Sequence, residues 1–161
     1  MNMKTLNEVR RILIAVEDSQ YSEHAADYGF ELAVKLGAEV ALVHVNDIPV
    51  ATPYIPDPIL NEPPVLVPEL INIQEDAGKK LLNRISDKYI EKTTIYTFNK
   101  VGNTKDEILS TAEEWNADMI ILGTHGRSGF DHFISGSIAE KIVRRARCPV
   151  LVIPNKDYDQ H

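Results

Sequence analysis

At 161 residues, with 24 acidic against 17 basic side chains, the chain carries a formal charge of −7 and a pI near 5.2. That balance argues against nucleic acid as the main partner, because binding a phosphate backbone needs a basic face. The length fits one domain, residues 1–161, with a core of its own. The single cysteine, Cys148, allows no internal disulfide; residues 1–11 lack the apolar core of a secretory signal, and no run of about 18 apolar residues is present to span a bilayer. A cytoplasmic location without membrane contact is the expectation.

The elements come in alternation. Ile12–Val16 is a short, almost wholly apolar run, the pattern of a strand buried on both faces of a parallel sheet. Asp18 and Ser19 supply helix-capping groups, and Tyr21, Ala25, Tyr28, Leu32 and Leu36 recur at helical spacing up to Gly37, a residue suited to a helix C-terminus. Val40–Val45 is a second apolar strand. Residues 47–69 then hold seven of the nine prolines (Pro49, Pro53, Pro56, Pro58, Pro63, Pro64 and Pro68), which lack the backbone donor that ladders and helices use. This stretch reads as an extended surface excursion, either a variable loop or a lid.

Leu70, Ile73, Ala77, Leu81 and Ile85 mark a second helix, and the β-branched and aromatic run Thr94–Phe98 a third strand. Beyond Gly102, Thr104–Glu107 reads as a capping box for a helix whose inner face is Ile108, Ala112 and Trp115. Met119–Leu122 is a fourth strand ending at Gly123; Ile138, Ile142 and Ala146 line a fourth helix; Pro149–Pro154 is a fifth strand before a polar tail, 155–161. Strands alternating with helices make a parallel sheet covered on both faces, a three-layer α/β/α architecture. In such sheets ligands bind beyond the carboxyl ends of the strands, where strand order reverses. The residues after strands one and four are therefore the place to seek chemistry.

After strand four the chain reads Gly123-Thr124-His125-Gly126-Arg127-Ser128-Gly129 and reaches Gly136-Ser137 nine residues beyond Gly126. Gly123 and Gly126 let backbone approach a ligand, and a helix opening at Gly136-Ser137 offers free N–H groups and a dipole to an anion. Ser137-Ile138-Ala139-Glu140 is equally a capping box, so Ser137 has a structural reading beside the functional one. No GxGxxG follows strand one and no GxxxxGK[ST] occurs, which argues against a dinucleotide dehydrogenase or a P-loop NTPase. No set of carboxylate, lysine and arginine resembles kinase machinery, and no catalytic residue is assigned.

Gly123-x2-Gly126-x9-Gly136-Ser137 resembles the G-2x-G-9x-G-[S/T] signature of the universal stress protein family. The flanking segments, the opening Arg11–Ser19 and the second strand Leu42–Val45 resemble it too, so the likeness spans nearly the whole chain. It implies a flavodoxin-like, Rossmann-like sheet of five parallel strands in the order 3-2-1-4-5, and a cytoplasmic stress-response protein that binds ATP, with Mg²⁺ bridging phosphates if hydrolysis occurs. By position, Gly123, Gly126, Gly136 and Ser137 would hold phosphates and ribose, with Arg127 and Ser128 adding contacts, while Ala15 and Val45 would flank adenine. The family's turn after strand one is usually Asp-Gly-Ser. Here it is Glu17-Asp18-Ser19, with Glu17 in the place of the acid and Asp18 in that of the glycine. Either carboxylate is a candidate for the adenine or ribose contact. The resemblance also implies a homodimer through the edge strand at 149–154. The alternative function is an interaction module of the same fold that binds no nucleotide.

Other residues have plainer readings. His44, in an apolar strand, reads as a satisfied interior histidine, His125 as loop, and His24 and His132 as surface. No cluster has zinc spacing. Cys148 reads as a small apolar residue, and Arg144, Arg145 and Arg147 as complements to a helix C-terminus.

Overall fold

A computed structural model describes residues 4–47, 67–124 and 137–154. A 3₁₀ turn at Leu6–Glu8 leads into β1 (Arg11–Ala15), followed by α1 (Gln20–Leu36), β2 (Glu39–Asn46), α2 (Val67–Asp87), β3 (Ile95–Val101), α3 (Thr104–Glu114), β4 (Met119–Gly123), α4 (Ile138–Arg145) and β5 (Val150–Ile153). All pairings are parallel and the order is β3-β2-β1-β4-β5. The expected architecture and strand order are those observed.

Alternation along the central strand divides the core in two. Ile12 and Ile14 join Val40, Leu42 and Ile121 on the face packed by α1 and α2, with Phe30, Leu81 and Ile85. Leu13 joins Ala41, Val43, Ile120 and Leu122 on the other face, closed by Ile108 of α3 and Ile142 of α4. Burial of both faces is why β1 and β4 are almost wholly apolar instead of alternating.

Four local expectations are corrected. On α1 the buried face is Ser22, Ala25, Ala26, Gly29, Phe30 and Ala33, whereas Tyr28 is exposed. Small residues let this helix lie close on the sheet: a Cβ on Gly29 would stand 2.7 Å from Ile14 Cδ1. On α2, Leu70 and Ile73 are exposed, and burial begins at Gly78, Leu81 and Leu82. That helix starts at Val67, so Pro68 and Glu69 belong to it and not to the proline-rich excursion; a proline in the first turn gives up no intrahelical bond. The cap of α3 is Asn103, whose side chain accepts from the Asp106 N–H at 3.2 Å, while Thr104 donates to Asp47 Oδ2 at 3.4 Å. Residues 48–66 and the tail 155–161 lie outside the described residues.

Candidate functional site at the carboxyl end of the sheet

The order β2-β1-β4 places the reversal of the chain's winding between β1 and β4. Ile14 pairs with Ile121, so the two strands end side by side, β1 at Ala15 and β4 at Gly123. Both terminal residues are half-buried. On the other side of β1, Ala15 pairs with Val43, and half-buried Val45 stands two residues further along β2. Ala15, Val45 and Gly123 are thus gathered at one mouth by strand pairing alone.

The turn after β1 is held by its own side chains. The Val16 N–H donates to the Val43 carbonyl (2.9 Å), and the Glu17 N–H to Ser22 Oγ (2.8 Å). Ser19 caps α1 by accepting from the Ser22 N–H (3.2 Å), as its residue type predicts, and its hydroxyl donates to Glu17 Oε1 (3.3 Å). Glu17 is half-buried and Asp18 exposed. Asp18 Oδ1 accepts from Arg84 of α2 at 3.3 Å, and the same guanidinium nitrogen reaches Glu23 Oε1 at 2.7 Å.

The far side of the mouth is built from polar residues, of which the sequence reading singled out His44 but not Asn46 or Asn99. His44 Nδ1 meets the Val16 carbonyl at 2.9 Å. Asn46, buried at the end of β2, donates to Asn99 Oδ1 (2.8 Å) and to the Lys100 carbonyl (2.9 Å), and Asn99 in turn donates to the Glu75 carbonyl of α2 (2.8 Å). The available signal was an asparagine closing an otherwise apolar strand. His44 is the satisfied histidine its context suggested.

At the β4 side, the Thr124 N–H donates to the Ile153 carbonyl (3.0 Å), continuing the ladder past Gly123. Ser137 is the N-cap of α4 and accepts from the Glu140 N–H at 3.1 Å. The capping role is therefore realised; a hydroxyl that accepts in this way retains a proton to donate. A crossover helix between parallel strands begins at their carboxyl end, so Ser137 and the helix N-terminus belong to this end of the molecule. Gly126, Arg127, Ser128 and Gly136, with His125 and His132, lie outside the described residues.

The opposite end of the sheet holds Cys148. It lines an open cavity of about 380 Å³ with Leu109, Ala112, Ile120 and Arg147. Burial, aided by the negative charge of Asp118, pushes its thiol up from the ordinary value, which disfavours the thiolate. Arg144 pairs with Glu140 (2.9 Å) and Arg147 with Glu113 (3.5 Å). Among the described residues no group of three His, Cys, Asp or Glu side chains is placed to hold a metal ion, and no helix is long and apolar enough to cross a membrane.

A doubly wound parallel sheet with its crevice between β1 and β4 defines a Rossmann-like α/β protein. Residues 8–154 match the model of the universal stress protein family, and the chain belongs to that family. It is 30% identical to Universal stress protein MJ0531 of Methanocaldococcus jannaschii over 94% of this chain and 86% of that protein. It is 31% identical to YxiE of Bacillus subtilis over 89% and 97%. Among solved structures, hypothetical protein MJ0577 superposes with a TM-score of 0.76 at 24% identity, covering 92% of this chain and 98% of that one. A universal stress protein in complex with cAMP gives 0.65 at 19% identity, covering 91% and 97%. A family member from Arabidopsis thaliana with AMP bound gives 0.61 at 19% identity, covering 94% and 96%.

Proposed function

We propose that this protein binds an adenine nucleotide, ATP foremost, at the carboxyl end of the sheet, and acts in the cytoplasm as a nucleotide-dependent regulatory or protective dimer with at most slow hydrolysis. The observation that carries this reading is that β1 and β4 end side by side at Ala15 and Gly123, with Val45 beside them on β2 and Glu17 in the turn after β1, at the strand ends where doubly wound sheets take their ligands. Ala15 and Val45 offer apolar surface to adenine, Glu17 a carboxylate to ribose hydroxyls, and Ser137 with the α4 N-terminus donors to phosphate. Gly126, Arg127, Ser128 and Gly136 are proposed as further phosphate ligands on the resemblance of their spacing alone. Mg²⁺ would enter with the triphosphate, held chiefly by phosphate oxygens and water. The cAMP and AMP complexes of two proteins of this fold support an adenine nucleotide as the ligand class.

Mass spectrometry of natively purified, then denatured, protein is expected to release ATP or ADP, and millimolar Mg-ATP to raise the melting temperature. Gly136→Val is expected to abolish that shift while circular dichroism keeps its folded signature. No co-purifying nucleotide together with no shift would reject the nucleotide reading and leave an interaction module of the same fold.

A further inference from the structure

We propose that Arg84 is a positioning residue of the nucleotide site: it draws the Asp18 carboxylate onto α2 and offsets a negative charge at a mouth that receives polyphosphate. This inference rests on the nucleotide reading above. Glu17 and Asp18 put two carboxylates in succession where β1 ends, in a chain that is already acidic. A negative charge within about 10 Å of a triphosphate opposes its binding by an amount that salt screens. Arg84, sixty-six residues later in the chain, spans Asp18 Oδ1 (3.3 Å) and Glu23 Oε1 (2.7 Å), and Lys88 approaches Glu23 Oε2 at 3.8 Å. The two carboxylates are thereby given different work. Half-buried Glu17, steadied by the Ser19 hydroxyl, is the one placed for ribose; exposed Asp18 is turned to the guanidinium and its field is offset. Because the network is exposed, it contributes little to folding, and any effect on a nearby anion is one that salt screens.

Calorimetric titration of the full chain with ATP and with adenosine, at about 30 mM and about 500 mM salt, tests this. Arg84→Met is expected to weaken ATP about two- to fivefold at low salt, to leave adenosine unchanged, and to lose its effect at high salt. Arg84→Lys is expected to retain most of the ATP affinity, and Asp18→Asn in the Arg84→Met background to restore it. Equal weakening of ATP and adenosine, a loss that persists at high salt, or an Arg84→Met protein that binds ATP like the wild type would each overturn the assignment. A wild-type protein that binds neither ligand would instead reject the nucleotide reading, and the role of Arg84 with it.

Discussion

His44 Nδ1 lies 2.9 Å from the carbonyl oxygen of Val16, joining the end of β2 to the residue that leaves β1. A carbonyl only accepts, so the proton of this half-buried imidazole sits on Nδ1. Replacing His44 with Leu keeps the bulk and removes the donor. The expected cost is about 1 kcal/mol, measured by urea unfolding, together with faster hydrogen exchange in the 16–22 turn. Unchanged unfolding and exchange would show that the bond contributes nothing to fixing the turn.

Gly78 is the point at which α2 touches this same corner. A Cβ there would stand 2.8 Å from His44 Cδ2 and press on the Asn99 amide. That amide cannot easily yield, since Asn46 and the Glu75 carbonyl hold both its ends. Gly78→Val is expected to lower stability by about 1–3 kcal/mol, read from denaturant unfolding, despite the better helix propensity of a residue other than glycine. A neutral or stabilised variant would mean that α2 shifts on the sheet without cost.

Asp118 fastens the other end of the sheet. It receives Lys4 Nζ at 2.6 Å and the backbone N–H groups of Arg10 (2.9 Å) and Arg11 (3.0 Å). Burial pushes its carboxyl up, but the hydrogen bonds from Lys4, Arg10 and Arg11 outweigh that and hold it below the ordinary carboxylate value. A carboxyl depressed in the folded state stabilises the protein above its unfolded pKa, and that contribution disappears as pH falls through the folded one. Asp118→Asn is therefore expected to cost about 1–3 kcal/mol at pH 7, with the gap to wild type closing below about pH 4. A gap that stays constant with pH would assign the loss to packing instead of charge.

The sheet was legible because burial on both faces leaves runs such as Ile12–Val16 and Met119–Leu122 with almost no polar residue, and β-α alternation then restricts the topology. The buried face of α1 was not, because it is made of Ala25, Ala26, Gly29 and Ala33, residues chosen for close approach and weak in any hydrophobic pattern. Asn103 displaced Thr104 as the cap because two adjacent residues carried suitable side chains and only the backbone decides between them. At the site, Gly123 was read from its place after the fourth strand, whereas Ala15 and Val45 came from the family resemblance; strand pairing brings the three to one end of the sheet. Arg84 and Asn99 were invisible to local pattern, since each reaches the mouth from a distant segment: 66 residues separate Arg84 from Asp18, and 53 separate Asn99 from Asn46.

The edge strand β5 yields a prediction about assembly. In its parallel pairing with β4, the carbonyls of Pro149 and Ile153 accept from Ile120 and Thr124. The alternation of ladder bonds then turns the N–H groups of Val150 and Val152 to the open side. An apolar edge of this kind invites a second copy, and a two-fold pairing of β5 strands is the proposed dimer. Val152→Pro removes an outward donor while leaving the β4 ladder its own bonds, a placement that edge strands tolerate. Light scattering at tens of micromolar is expected to give about twice the 18.1 kDa chain mass for the wild type, and the single-chain mass for a Val152→Pro variant with an unchanged circular dichroism spectrum. A folded variant that keeps the doubled mass would move the interface away from β5, and a wild-type protein of single-chain mass would remove the dimer altogether.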